Sequence, residues 1–145
     1  MTGPGAAPVA ALAKAGRLAE ARLDSALSGL GLSSARVWVL LHLVDAGGAL
    51  SLKELAERTG FVKSNATQMA DRLQAEGLAR RAYDPEDRRR VLAEVTEEGR
   101  GRLAEGLRVA EEVQRGLLGP LGPEGRDELA GLLERLFDDK GGGAA

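Results

Sequence analysis

The chain has 145 residues, 29% of them charged, and a formal net charge of −2, so it lacks the global basic signature of a histone-like protein. It has no cysteine, which excludes disulfides, thiolate zinc sites and cysteine redox sensing together. No apolar run approaches the roughly 20 residues of a membrane span, and the small-residue N-terminus has no leader pattern. A cytoplasmic protein with no membrane partner is therefore expected, built as one domain or one domain with appended helices.

Residues 1–8 are rich in Gly, Pro and Ala and are expected to form a disordered tail, as are residues 141–145. A first helix is predicted from Val9 to Leu30, with Leu12, Ala15, Ala19, Leu23, Ala26, Leu27 and Leu30 at helical spacing and Gly31 as its stop. Ser33 or Ser34 then caps a second helix, whose Val37, Leu40, Leu41 and Val44 form a stripe at i, i+3, i+4, i+7. Gly47-Gly48 ends it, and Ala49-Leu50 reads as a short strand.

Ser51-Leu52-Lys53-Glu54 is a capping box, with serine at the N-cap and glutamate three residues on. It opens a short helix, Leu52 to Thr59, which Gly60 stops. After Phe61-Val62 a further helix runs from Lys63 to about Glu76, with Ala66, Met69, Ala70 and Leu73 inward and Gly77 closing it. Two short helices joined by a tight glycine-containing turn make a helix-turn-helix.

Leu78–Tyr83 and Val91–Thr96 read as strands around Asp84-Pro85-Glu86-Asp87-Arg88-Arg89-Arg90, the tip of a hairpin. Helix, helix, two-stranded ribbon is the order of a winged helix. A run of three arginines is by itself more often a solvated turn than a binding element, but its place after a helix-turn-helix reverses that expectation. From Thr96-Glu97-Glu98 a long helix is predicted to about Leu118, roughly 33 Å at 1.5 Å per residue. Gly99, Gly101, Gly106 and Gly116 weaken the case for its continuity, each by about 1 kcal/mol relative to alanine. Gly119-Pro120 and Gly122-Pro123 break the chain, and a last helix carries Leu129, Leu132, Leu133, Leu136 and Phe137.

Charge is uneven along the chain. Between Arg58 and Arg90 eight basic residues stand against five acidic ones, a local +3, whereas residues 101–145 hold six against nine, or −3. A polyanion would meet the middle of the chain. Opposite its apolar face the second helix of the helix-turn-helix displays Lys63, Ser64, Asn65, Thr67, Gln68, Asp71 and Arg72. Asn and Gln bind adenine in bidentate fashion, and Ser and Thr reach bases or phosphates. Their place in the first turn and a half matters, because a recognition helix reads base edges with its N-terminal residues. Ordinary polar helix faces are Glu/Lys-rich, and this one is rich in amides and hydroxyls.

Nothing supports an enzyme, a metal site or a cofactor. The single histidine, His42, sits mid-helix and reads first as a packed or hydrogen-bonded structural residue and second as a ligand contact or a weak pH sensor. Paired acids such as Glu111-Glu112 lie on exposed faces, and no Gly-rich phosphate loop follows a strand. Trp38, off the second helix's apolar stripe, is open to three roles: core, subunit interface or pocket wall.

The motifs Leu55-Ala56-Glu57-Arg58-Thr59-Gly60, Asn65-Ala66-Thr67-Gln68-Met69-Ala70-Asp71-Arg72-Leu73, Glu76-Gly77-Leu78-Ala79-Arg80-Arg81, Asp84–Arg90 and Val95-Thr96-Glu97-Glu98-Gly99 occur here in order. Taken as a set, they resemble the multiple-antibiotic-resistance regulator (MarR) family of winged-helix transcription factors, closely from about Leu50 to Leu103. The resemblance implies a mainly α (α+β) fold: a winged helix-turn-helix over residues 33–96 with flanking dimerisation helices over residues 9–32 and 97–140. It implies a cytoplasmic homodimer that represses at a pseudo-palindromic operator in double-stranded DNA. Ser64, Asn65, Thr67, Gln68 and Arg72, beside Lys63, would face the major groove or its phosphates. Arg89 would enter the minor groove, Asp87 would steady the loop by pairing with an arginine, and Arg88 or Arg90 would touch phosphates.

Relatives that bind phenolic or other small anions use a cleft between the dimer helices and the winged helix. Arg36, Trp38 and His42 are on the helix that would line it, although no motif demands a small-molecule effector. Val62 departs from the serine or aspartate N-cap of many relatives, and Ser64 is the alternative cap. The competing reading is a winged helix used for protein contacts, with no operator of its own.

Overall fold

The structure, a computed structural model, describes residues 5–142, with side chains through Asp138. The chain divides into two compact units, residues 1–110 and 111–145. The first unit begins with α1 (Ala7–Leu27), continued by a 3-10 turn (Ser28–Leu30), and goes on to α2 (Ser34–Asp45), β1 (Ala49–Ser51), α3 (Leu52–Thr59) and α4 (Lys63–Ala75). β2 (Ala79–Tyr83), β3 (Val91–Val95) and the first half of α5 (Glu97–Leu118) complete it. The second unit contains the rest of α5, a 3-10 turn (Gly119–Leu121) and α6 (Gly122–Gly142). The helix-rich winged-helix class expected from the sequence is therefore what the chain forms.

The tail boundaries differ from expectation. α1 starts at Ala7 because Pro8 suits the first turn, where a missing N–H costs nothing, so Ala7 and Pro8 are helical. Met1–Pro4 lie outside the described residues. At the other end α6 runs on through Gly141 and Gly142, and Gly143–Ala145 lie outside the described residues. The long fifth helix is continuous despite its glycines.

The apolar stripe of α2 is wider than its sequence pattern. Val37, Val39, Leu40 and Leu43 are buried, while Leu41 and Val44 are only half-buried. α2 lies against α1, α3, α4 and β3, so more than one face is covered. Its residues join Leu27, Leu32, Leu50, Leu55, Leu73 and Leu103 in one core cluster. Fully burying each such side chain contributes about 1.5–3 kcal/mol.

Ala49–Ser51 is more than an isolated extended segment. It pairs with β3 through Ala49↔Glu94, Leu50↔Ala93 and Ser51↔Leu92, giving a three-stranded antiparallel sheet of order β1-β3-β2. The hairpin register, Ala79↔Val95 to Tyr83↔Val91, puts Arg80 opposite Glu94 and Arg81 opposite Ala93. The wing is thus the outer part of a sheet whose other edge leads directly into α3.

Candidate nucleic-acid interface

α3 begins where Ser51 Oγ accepts a hydrogen bond from the Glu54 amide at 3.1 Å, the first half of the expected capping box. Glu54 Oε1 closes it at 2.9 Å from the same hydroxyl rather than reaching the Ser51 amide. Gly60, at φ +76°, ends the helix, and its N–H bonds the Ala56 carbonyl. Thr59 stiffens the turn: its hydroxyl donates to Leu55 O at 2.7 Å and accepts from the Phe61 amide at 3.3 Å.

α4 then starts at Lys63 with Val62 as an N-cap that makes no side-chain bond. Ser64 therefore sits inside the first turn instead of capping, which leaves its hydroxyl available. Lys63, Ser64, Asn65, Gln68 and Arg72 are exposed and share the outer face of the helix, while Ala66, Met69, Ala70 and Leu73 are buried behind them. Thr67 is half-buried, and its hydroxyl donates to the Lys63 carbonyl at 3.0 Å, so that group is engaged within its own helix. The other end of α4 is a Schellman closure: Gly77 N–H bonds Gln74 O at 3.1 Å and Leu78 N–H bonds Leu73 O at 2.9 Å. Gly77 is at φ +79°, which a side chain would resist.

The wing tip is an ordered loop. Asp84 N–H bonds Arg90 O at 3.0 Å, Asp87 N–H bonds Asp84 O at 3.2 Å, and Arg90 N–H bonds Asp87 O at 2.9 Å. Asp84 Oδ1 also accepts from the Glu86 amide at 2.9 Å, and Asp87 Oδ1 from the Arg89 amide at 3.1 Å. These are the local carboxylate-to-backbone turns that Asp favours.

The three arginines of the tip differ. Arg88 is exposed and makes no ion pair among the described residues. Arg89 is 93% exposed in its side chain and lies 3.2 Å from Asp87 Oδ1, the pairing expected of Asp87. Arg90 turns back: it ion-pairs with Glu54, lies 3.6 Å from Asp84 Oδ2, and donates to Ser51 Oγ at 3.2 Å.

Two more arginines couple the parts. Arg81 of β2 ion-pairs with Asp71 of α4 and bonds Gln74 Oε1 at 3.2 Å. Arg36 of α2 makes a bidentate pair with Glu76, the C-cap of α4, at 2.8–3.1 Å. That hydrogen bonding raises the Arg36 pKa above its ordinary value. Burial opposes the rise and the Glu76 charge reinforces it.

Of the residues expected to line a ligand cleft, Arg36 is thus engaged with Glu76, and Trp38 packs half-buried against the core beside half-buried His42. A cleft of about 380 Å³ lies elsewhere, lined by Gly47, Gly48, Arg80, Glu94, Thr96 and Arg100 among others. Glu76 carried no signal in the sequence as a site-forming residue, while Glu54 was legible only as half of a capping box and Asp71 only as part of the polar face of α4. Among the described residues no group of His, Asp and Glu is placed to hold a metal ion. No single helix there is long and apolar enough to cross a membrane.

Comparison with known proteins gives the same picture. A family model described as "MarR family" matches residues 30–90. The chain is 35% identical over 86 residues to the HTH-type transcriptional repressor YetL of Bacillus subtilis, covering 59% of this chain and 52% of that one. It therefore spans about half the length of that relative. It is 30% identical over 107 residues to the HTH-type transcriptional repressor NicR of Pseudomonas putida, covering 74% of this chain and 67% of that protein. Among solved structures it is similar to Bordetella bronchiseptica BpsR, whose DNA binding is regulated by 6-hydroxynicotinic acid. The two are 30% identical, with a TM-score of 0.79 over 88% of this chain and 90% of that one. The overall fold agrees with this structural likeness, and the chain belongs to the MarR family.

Proposed function

We propose that this chain is a sequence-specific, double-stranded-DNA-binding transcriptional regulator of the cytoplasm, acting as a homodimeric repressor of a pseudo-palindromic operator. The observation that carries the reading is the exposed face of α4, with Ser64, Asn65, Gln68 and Arg72 free of the core, set next to a wing whose Arg88 and Arg89 stand in solvent. α4 enters the major groove, where Asn65 and Gln68 meet base edges and Lys63 and Arg72 meet phosphates. Arg89 reaches the adjacent minor groove, which is narrowest and most negative over A·T-rich sequence. Asp87 steadies the loop by pairing with Arg89.

Dimerisation is supported by apolar side chains that their own unit leaves exposed: Val9, Leu12 and Leu18 in α1, and Leu132, Leu136 and Phe137 in α6. A two-fold pair would set recognition helices about one helical turn apart along the duplex. Relief by a small anion is supported by the BpsR likeness, with Arg36, Trp38 and His42 as the residues to test. The reading assigns the chain no catalytic step. A protein-docking wing is less well supported, since residues 85–90 carry Pro, two acids and three arginines and no large apolar side chain.

The test is selection of bound fragments from random-sequence duplexes, followed by titration against salt. A palindrome should emerge, and log K against log salt should slope by about −0.9 per phosphate neutralised. Arg89→Ala should weaken binding by at least about 1 kcal/mol, and Gln68→Ala should relax preference at one position by about 1–3 kcal/mol. A flat salt response, or an unchanged Arg89→Ala affinity, would sink the reading.

A further inference from the structure

We infer that Arg90 and Glu54 form a brace that holds the wing against the helix-turn-helix, so that operator affinity depends on an acidic residue. The inference rests on the DNA-binding reading and changes the role of one wing arginine. Arg88 and Arg89 extend into solvent, whereas the Arg90 guanidinium is directed at Glu54 in the first turn of α3. It also bonds the hydroxyl of Ser51, which is only 5% exposed, and lies 3.6 Å from Asp84 at the start of the tip. One side chain thus touches the end of β1, the first turn of α3 and the root of the wing. Its Nη2 is engaged with two protein acceptors, Glu54 and Ser51. It is a positioning residue for Arg89, which it follows in the chain.

The alternative is that Arg90 is a phosphate contact that rests on Glu54 only when DNA is absent. The two roles differ in sign at Glu54. A carboxylate near a polyanion is repulsive, so removing its charge should leave binding unchanged or tighten it if Glu54 has no positioning role. If it anchors the brace, removing the charge should weaken binding.

Glu54→Gln is the discriminating variant, because glutamine at the third helical position still serves a capping box and α3 is retained. Expected for Glu54→Gln is a loss of about five-fold in operator affinity, the order of a partly exposed ion pair, with an unchanged salt slope. Arg90→Gln should lose a similar factor, also with little change in slope, and Arg90→Lys should recover most of it. The Glu54→Gln/Arg90→Gln double variant should be no worse than either single one.

Amide exchange over Asp84–Arg90, measured without DNA, should be faster in Glu54→Gln than in wild type at equal global stability. Unchanged or tighter binding by Glu54→Gln would overturn the brace. So would a salt slope reduced by about one in Arg90→Gln with additive losses in the double variant. If wild type selects no palindrome, the regulator reading fails on its own. The exchange measurement then still decides, and unchanged exchange in Glu54→Gln overturns the brace.

Discussion

Two glycines two residues apart in α5 should respond in opposite directions to the same substitution. An ideal Cβ built on Gly99 would lie 2.1 Å from the Leu78 carbonyl oxygen, 3.0 Å from its carbon and 2.9 Å from Val95 Cγ2. Ordinary contact begins near 3.4 Å, so backbone must move by about 1.3 Å (3.4 − 2.1) to admit a methyl group. The Leu78 carbonyl is not free to yield, because it accepts the Thr96 amide at 3.1 Å where β3 turns into α5. Overpacking of this kind costs about 1–3 kcal/mol, and two backbone atoms in the way put Gly99 at the upper end. Helix propensity returns about 1 kcal/mol, so Gly99→Ala should destabilise by about 1–2 kcal/mol.

At Gly101 nothing lies within 4 Å, and Gly101→Ala should stabilise by about 0.5–1 kcal/mol. Urea unfolding followed by Trp38 fluorescence reads both variants, since Trp38 is the chain's one tryptophan and packs against the core. All samples need one protein concentration, because a dimer's stability depends on it. Equal stability of the two variants, or a more stable Gly99→Ala, would refute the packing argument.

Other expectations follow from the same geometry. Gly106→Ala meets only side chains, Val37 Cγ2 at 2.9 Å and Leu32 Cδ1 at 3.3 Å, so rotamer adjustment should hold the net loss in urea unfolding to about 1 kcal/mol or less. Leu55→Ala empties a site that is 0% exposed and should cost about 2–5 kcal/mol by the same assay. Arg36→Ala removes the clamp on the C-cap of α4 and should cost about 1 kcal/mol, discounted because both partners are partly exposed. Its pH dependence has a definite sign: a cation whose folded pKa is raised contributes fully below its ordinary value and loses that contribution only as pH climbs through the raised one. The wild-type minus Arg36→Ala difference should therefore stay constant from about pH 6 to about pH 9. A difference that fades within that window would contradict it.

What the sequence made legible was what a few neighbouring residues encode. The Ser51 cap, the glycine stops at 60 and 77, the hairpin around Asp84–Arg90 and the polar face of α4 depend on local spacing, and the winged-helix class followed from their order. Pairings set by topology were hidden. Arg36 finds Glu76 across 40 residues and Arg90 finds Ser51 across 39, which no periodicity announces. The third strand was visible as an extended segment but not as a partner of β3. Gly99 and Gly106 read as weaknesses of a helix because composition alone carries no information on what lies 3 Å from a missing Cβ. Ser64 could be read as cap or contact until Val62 was seen to precede the first turn in extended backbone.

The ordered wing tip has a thermodynamic consequence. Fixing free backbone costs roughly 1–2 kcal/mol per residue, so a disordered tip of seven residues would add on the order of 10 kcal/mol to any association that had to order it. Here the loop hydrogen bonds from Asp84 to Arg90 meet that cost when the chain folds. Only the side chains of Arg88 and Arg89 are left to immobilise on contact, at about 0.5–1.5 kcal/mol each. Engagement of the wing should accordingly proceed in one fast, salt-sensitive phase, with no slower step of loop ordering behind it.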